Sequence, residues 1–360
     1  MAEKLKNQFL TIPFVHQLAN SISEELQLTA PEIVQQFDLE KWENLELKER
    51  IYYAGEIIRG MLPEAFEEAI PILHVMAKKI TGLEGTIFPG IIERYGQEHF
   101  NQSMDMLGEI TRYSSSEFAV RPFILSDPVK SMAYFYKWSE DENEHTRRLA
   151  SEGCRPRLPW SSKLPCFIDD PQPVLKALKP LVQDPSVYVQ KSVANNLNDI
   201  SKDHPEQVIQ WLRTLDLHHP VTYWIGKHGL RTLIKNGHIE AMKLLGLIQG
   251  NLDFKTFEIN KPEIEIGESL EFEFTVINSG KKEAKGVVDY AISFVKSNNK
   301  LSRKVFKIAD LCLAPGASRK IVKNRPFVPL STRRYYKGMH TIDIVINGQV
   351  METKQFLLKV

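Results

Sequence analysis

Three carboxylates and one tryptophan have the chemistry to do more than pack: Glu117 in SSEF, Glu152 in RRLASE, Asp199 in NLNDIS and Trp160 at the end of RPRLPW. A carboxylate fixed in a partly dry site stabilises a cation that develops beside it, and it can accept a proton from an attacking water. A tryptophan stiffened by neighbouring prolines offers a rigid aromatic face to a cation. Each residue also has an ordinary reading. Glu117 suits the first turn of a helix, Glu152 an ion pair with Arg148, and Asp199 one with Lys202 or Lys191. Trp160 suits the apolar end of a helix pair. Basic and amide side chains accompany the four: Arg121, Arg147, Arg148, Lys191, Asn195, Lys227 and Arg231 on helical segments, with Lys202 close by and Arg155 and Arg157 in the proline loop. A curved row of such groups follows phosphates and gives salt-sensitive affinity independent of base sequence. Taken singly, each also fits a solvated helix face.

The elements that must position these groups show in the spacing. HTRRLASEGCRPRLPW is echoed downstream by VQKSVANNLNDISKDHP: Ala150 and Ala194 are 44 residues apart, as are Arg147 and Lys191. Glu152 and Asn196 occupy equivalent places, and Asp199, three residues on, shares the face of Asn196. A weaker third copy places Lys227, Leu230 and Leu233 at a spacing of 36 from Lys191, Ala194 and Leu197. This period predicts paired-helix repeats stacked into a solenoid with a concave binding face. Upstream, Pro31–Phe37, Leu47–Arg59, Pro63–Lys79 and Phe100–Ile110 carry apolar residues at helical spacing. The stretch Arg155–Pro173 holds five prolines, and a long loop of this kind between repeat helices is commonly functional.

After residue 250 the period changes from helical to alternating. Ser269–Asn278, Val287–Val295, His340–Asn347 and Lys354–Val360 read as strands divided by Gly, Asn and Pro turns. About seven short strands over this length predict an immunoglobulin-like sandwich. The chain is therefore expected to be mainly α, with a HEAT-like helical-repeat solenoid over residues 1–250 and an all-β Ig-like sandwich over 251–360. The charge is uneven: 19 Lys and Arg against 12 Asp and Glu after residue 250, and 27 against 33 before it. A basic C-terminal domain points toward a polyanion partner. Within it, Arg333, Arg334, Tyr335 and Tyr336 precede a strand. Two arginines beside two aromatics suit a minor groove, or alternatively the edge of a sandwich whose rings pack inward.

Three scattered cysteines, with neither a CxxC pair nor a Cys/His ligand spacing, argue against structural zinc and for a reducing compartment. Phosphate-binding glycine loops and HExxH are missing, so no metal or cofactor is expected. No apolar run is long enough to span a bilayer and no secretion signal is read at the start, so the expected location is the cytoplasm. Monomer is the default.

SSEFAVRPF (115–123), RRLASEGCRPRLPW (147–160), SVANNLNDISKDHP (192–205) and GLRTLIKNG (229–237) together resemble the AlkC branch of the AlkD-like DNA glycosylases, and STRRYYKGMHTIDIVING (331–348) resembles that branch's Ig-like domain. The resemblance implies a solenoid that cradles duplex DNA and hydrolyses the N-glycosidic bond of cationic N3-alkylated bases, chiefly 3-methyladenine and also 3-methylcytosine, without fully extruding the base. It implies catalytic roles for Glu117, Asp199, Glu152 and Trp160, and DNA contacts for the basic residues above. The expected partner is double-stranded DNA containing alkylated bases, with no obligate protein partner and no membrane. No lysine stands out as a Schiff-base nucleophile, so the expected product is an abasic site without strand cleavage. The competing reading is a non-catalytic HEAT-plus-Ig module that binds nucleic acid or protein.

Overall fold

A computed structural model describes residues 7–329 and 334–359. The chain forms two compact units, Met1–His204 with His218–Gly229, and Pro205–Leu217 with Leu230–Val360.

The first unit is helical. The expected segments appear as Ala30–Val34, Leu47–Met61, Phe66–Lys79 and Phe100–Ile110. The two echoed segments form the helices Glu144–Glu152 and Val187–Ile200, which pack against each other, and Val187–Ile200 packs in turn on Pro220–Gly229. The first starts where the Asn143 side chain accepts the His145 amide at 2.9 Å, satisfying one of the orphan amides of a helix start. Its inward face carries Leu149 and Ala150, and the next helix answers with Val189, Val193, Ala194 and Leu197, all buried. Glycine allows close approach at two places, Gly153 against Val120 and Gly229 where Pro220–Gly229 meets Val187–Ile200. A Cβ on Gly153 would stand 2.8 Å from Val120, and one on Gly229 2.9 Å from the Leu197 side chain. The third copy is less regular than its spacing predicts. Lys227 lies in the last turn of Pro220–Gly229, but Leu230 and Leu233 fall beyond that helix.

The second unit contains a two-sheet sandwich. Its strands are β1 (Asp253–Ile259), β2 (Glu263–Glu265), β3 (Ser269–Ile277), β4 (Ala284–Val295), β5 (Leu301–Leu313), β6 (Ser318–Pro326), β7 (Gly338–Ile346) and β8 (Gln349–Lys359). One sheet has the order β1-β3-β6 and the other β2-β8-β7-β4-β5, antiparallel except for the β2–β8 pair. Phe272, Phe274, Phe294, Phe327, Ile344 and Phe356 fill the space between the sheets. The change of period falls between the helix Ile239–Leu244 and β1, yet this compact unit reaches back to Pro205. Gly237 lies against Gly348, and Gln249 and Lys285 exchange backbone hydrogen bonds of 3.0 and 2.8 Å. The preceding segment thus leans on the sheet, and β4 is buried on both faces along most of its length.

That burial takes in a carboxylate. Desolvation pushes the Asp289 carboxyl in β4 up to about 6, with Asp310 adding to the rise and Lys307 and Lys235 opposing it. A folded-state pKa above the unfolded value costs stability as pH rises between the two. Asp289→Asn is therefore expected to match the parent near pH 4 and to melt at higher temperature than the parent above about pH 6. Thermal unfolding across that range checks it; a constant difference at every pH contradicts it.

Candidate active site

Glu117 lies in a turn held from both sides: the Ser116 hydroxyl donates to the Leu107 carbonyl at 2.9 Å and that of Ser114 to Gly82 at 3.0 Å. Glu152 is the last residue of Glu144–Glu152, and Asp199 is the penultimate residue of Val187–Ile200. Two arginines join the three carboxylates into one chain of alternating charge. Arg148 donates to Glu117 and, at 2.7 Å, to the Ser115 hydroxyl; it also stands 3.7 Å from Glu152 Oε1. Arg155 donates to Glu152 Oε1 at 2.6 Å and to Asp199 Oδ2 at 2.9 Å. Lys202 closes the far end, 3.0 Å from Asp199 Oδ1. The second Glu152 oxygen accepts from Ser192 at 2.6 Å, and Ser192 accepts from Ser151 at 2.6 Å. The ion pairs expected of Glu152 with Arg148 and of Asp199 with Lys202 form, whereas Glu117, expected in the first turn of a helix, lies in a turn outside one and pairs with Arg148; the arginines that pair the carboxylates also link them.

Burial pulls the Arg148 guanidinium down, but Glu117 and Glu152 more than offset it, and the group ends above its ordinary value. Arg155 behaves likewise between Glu152 and Asp199. Both remain fully charged, so the carboxylates keep fixed orientations.

The chain borders a cleft of about 500 Å³ lined by Glu117, Glu152, Arg155 and Trp160, together with Phe118, His145 and Tyr188. Asp199 is not among the lining residues; Arg155 and Lys202 stand on its carboxylate. Trp160 is 54% exposed at the rim, in a left-handed backbone conformation with φ of 64°. A non-glycine residue holds that conformation only where its surroundings impose it.

Several basic residues expected along phosphates have other work. Arg121 is buried, only 1% exposed. Its guanidinium donates to the carbonyls of Gly153 at 3.1 Å, Arg155 at 3.0 Å and Ser162 at 3.0 Å, which folds the proline loop around it. Burial brings it down to about 10. No phosphate can reach it. Arg147 forks onto Asp184 at 2.6 and 3.1 Å and also donates to the Asp141 and Glu142 carbonyls, tying together the turns that start the two echoed helices. Arg148 and Arg155 belong to the carboxylate chain. Arg157 forks onto Asp203 at 2.8 and 2.7 Å at the surface. Lys191 and Lys202 are exposed, and Asn195 and Lys227 half-buried; Arg231 is half-buried and belongs to the second unit. Arg333 lies outside the described residues. Arg334 is exposed, with its guanidinium 5.7 Å from the Tyr336 ring centre. Tyr335, expected as a possible wedge, packs instead on Phe294 and Phe327 in the sandwich core.

Sequence reasoning passed over Phe118, Tyr188 and Ser192. Tyr188, Ser192 and Asn196 follow one another at intervals of four and so share one helix face. That stripe meets Arg148, Glu152 and Ser151: Arg148 lies 5.1 Å from the Tyr188 ring centre, and Asn196 donates to the Ser151 carbonyl at 2.8 Å. The stripe was the available signal. No group of three or more His, Cys, Asp or Glu among the described residues is arranged to hold a metal ion, and no helix there is long and apolar enough to cross a membrane.

Comparison with known proteins agrees with this architecture. Residues 113–261 match the family described as DNA alkylation repair enzyme, and residues 253–360 match the C-terminal Ig-like domain described for the uncharacterised protein YhaZ. The chain is 40% identical to the uncharacterized protein YhaZ of Bacillus subtilis (strain 168) over 359 residues, 98% of each chain. Its structure superposes on the Pseudomonas fluorescens alkylpurine DNA glycosylase AlkC, solved bound to DNA containing an abasic site analog, with a TM-score of 0.88 and 33% identity over 97% of this chain and 98% of that one. The chain belongs to the DNA alkylation repair enzyme family, in its AlkC branch. The expected architecture, a HEAT-like helical fold followed by an Ig-like domain, holds.

Because Arg155 serves two buried carboxylates, its removal has a defined cost. Arg155→Met strands Glu152 and Asp199 with fewer counter-charges, and unfolding free energy is expected to fall by about 3 kcal/mol at neutral pH. Denaturant titration at neutral pH measures the loss; an unfolding free energy equal to the parent's contradicts it.

Proposed function

We propose that the protein is a monofunctional DNA glycosylase that hydrolyses the N-glycosidic bond of cationic N3-alkylated bases in duplex DNA, with 3-methyladenine as the leading substrate and 3-methylcytosine as a further one. The observation that carries the reading is the convergence of Glu117 and Glu152 beside Trp160 on one cleft. The AlkC likeness along almost the whole chain supports it.

The chemistry fits the groups present. Alkylation at N3 leaves the base positively charged, so it departs as a neutral molecule with the pair of electrons of the bond to C1′. The sugar becomes oxocarbenium-like, as in glycoside hydrolysis. Fixed carboxylates stabilise that cation, and one of them takes a proton as water adds to C1′. The departing base needs no acid, which agrees with a site of carboxylates paired to permanently charged arginines. Glu117 and Glu152 are assigned to the cation and the water. Asp199 orients Arg155 and through it Glu152 in the unliganded arrangement. Trp160 offers its face to the cationic base, which favours damaged over neutral bases. Lys191, Asn195, Lys202, Lys227, Arg231, Arg333 and Arg334 are assigned to the DNA, with residues 1–250 as the catalytic domain and 251–360 as a DNA-contacting Ig-like domain.

Purified protein incubated with methylated duplex DNA is expected to release free 3-methyladenine and leave abasic sites without strand breaks. Glu117→Gln and Glu152→Gln should each reduce single-turnover excision by about a hundredfold or more, while affinity for undamaged duplex stays within about threefold. Asp199→Asn should reduce excision less than either. Absence of base release from folded protein removes the proposal and favours a DNA-binding module without catalysis. Equal losses of excision and binding remove the catalytic assignment of the two glutamates.

A further inference from the structure

Trp160 sits at the rim of the cleft in a left-handed backbone conformation, and Arg121 holds the loop on either side of it, at Gly153, Arg155 and Ser162. A further restraint, on Trp160 itself, comes from 112 residues away. Lys48, in the first turn of the helix Leu47–Met61, donates from its ammonium to the Trp160 carbonyl. The same ammonium stands 4.7 Å from the Phe118 ring centre, and Phe118 follows Glu117 and lines the cleft. A lysine in the first turn of a helix opposes the helix dipole, so its place has another cause. Behind it lies a second cavity of about 70 Å³, bordered by Lys48, Tyr52, Glu93, Phe118 and Trp160. The Glu93 carboxylate, bonded to the Tyr52 hydroxyl at 3.3 Å, supplies negative charge on that side. The half-buried ammonium is thus engaged by a carbonyl, an aromatic face and a carboxylate field, a set that orients a cation.

We propose that Lys48 is a positioning residue for Trp160: its ammonium, seated on Phe118, clamps the Trp160 carbonyl and so sets the angle at which the indole borders the cleft. The inference rests on the reading of Trp160 as the contact for a cationic base, but the clamp itself is a property of the free protein. Lys48 acts through the indole and not on DNA.

The first measurement needs no substrate. Acrylamide quenching of tryptophan fluorescence is compared for the parent, Lys48→Met and Lys48→Arg, each also carrying Trp160→Phe, so that the difference within each pair reports Trp160 alone. Lys48→Met is expected to change the Trp160 contribution and Lys48→Arg, which can still donate to the carbonyl, to restore it; an unchanged contribution overturns the clamp. The second measurement is excision from methylated duplex. Lys48→Met should lower the single-turnover rate by about tenfold when Trp160 is present and have no further effect beside Trp160→Ala. Losses that multiply in the double variant overturn the proposal. The third is the salt dependence of binding to undamaged duplex. An unchanged slope supports a positioning role, and a slope lower by about one unit assigns Lys48 to a phosphate and overturns it. If no form of the protein releases a base, the catalytic reading fails while the quenching result still decides the clamp. Should Lys48→Met not fold, Lys48→Gln replaces it in every arm.

Discussion

The site depends on an alternation of charge: carboxylate, guanidinium, carboxylate, guanidinium, carboxylate, from Glu117 through Arg148, Glu152 and Arg155 to Asp199. Three anions drawn together without counter-charges would repel one another or take up protons. Two arginines, Arg155 buried and Arg148 half-buried, make their approach possible, and Glu152 is the hub, engaged by arginine on one oxygen and by Ser192 on the other. Pairs of this kind contribute little net stability, because desolvation offsets most of the attraction. Their value is orientational.

Around that chain the fold devotes much of its other buried polarity to holding the proline loop. Arg121 gathers the loop's carbonyls about one guanidinium, Arg147 clamps the turns that launch the two echoed helices, and Gly153 and Gly229 let neighbouring elements close in. Leu158 and Leu164 bury the loop's apolar side. The stretch expected as one long loop from Arg155 to Pro173 is interrupted by a short helix, Pro165–Asp169, and the exposed Trp160 stands on its anchored first part. The free thiol of Cys154 sits in the same packed region, where burial pushes it up to about 12.

The second unit shows how a sandwich strand can lose its alternation. β3 reads as buried and exposed in turn because one face meets the core and the other meets water, whereas β4 is central in its sheet and covered on both sides. The segment before the sheet supplies part of that cover, through the Gly237–Gly348 approach and the Gln249–Lys285 bridge. Helical period and compact unit therefore part company. The short helices Arg231–Lys235 and Ile239–Leu244 are helical by sequence but belong by packing with the strands that follow.

Much was legible before any coordinates. Apolar spacing marked the helices Leu47–Met61 and Phe100–Ile110 closely, and alternation marked β3, β7 and β8, because local periodicity follows directly from which face is buried. The strands β5 and β6 escaped notice: both are sheet edges rich in exposed basic residues, and their pattern of burial is weak. The echo at a spacing of 44 placed Glu152 beside the stripe that carries Asp199, and the residue types identified the chemistry. Pairs within one helix turn, Arg148 with Glu152 and Lys202 with Asp199, were legible; pairs across the fold were beyond reach. Nothing local distinguishes Arg121, buried under a loop, or Arg147, bound to Asp184, from Lys191 in solvent, since a guanidinium's partners lie tens of residues away and are chosen by how helices stack. Order along the chain is enough to say which groups are available and on which helical face each stands. Which arginines serve carboxylates and which serve carbonyls follows instead from distance and burial across the stacked helices.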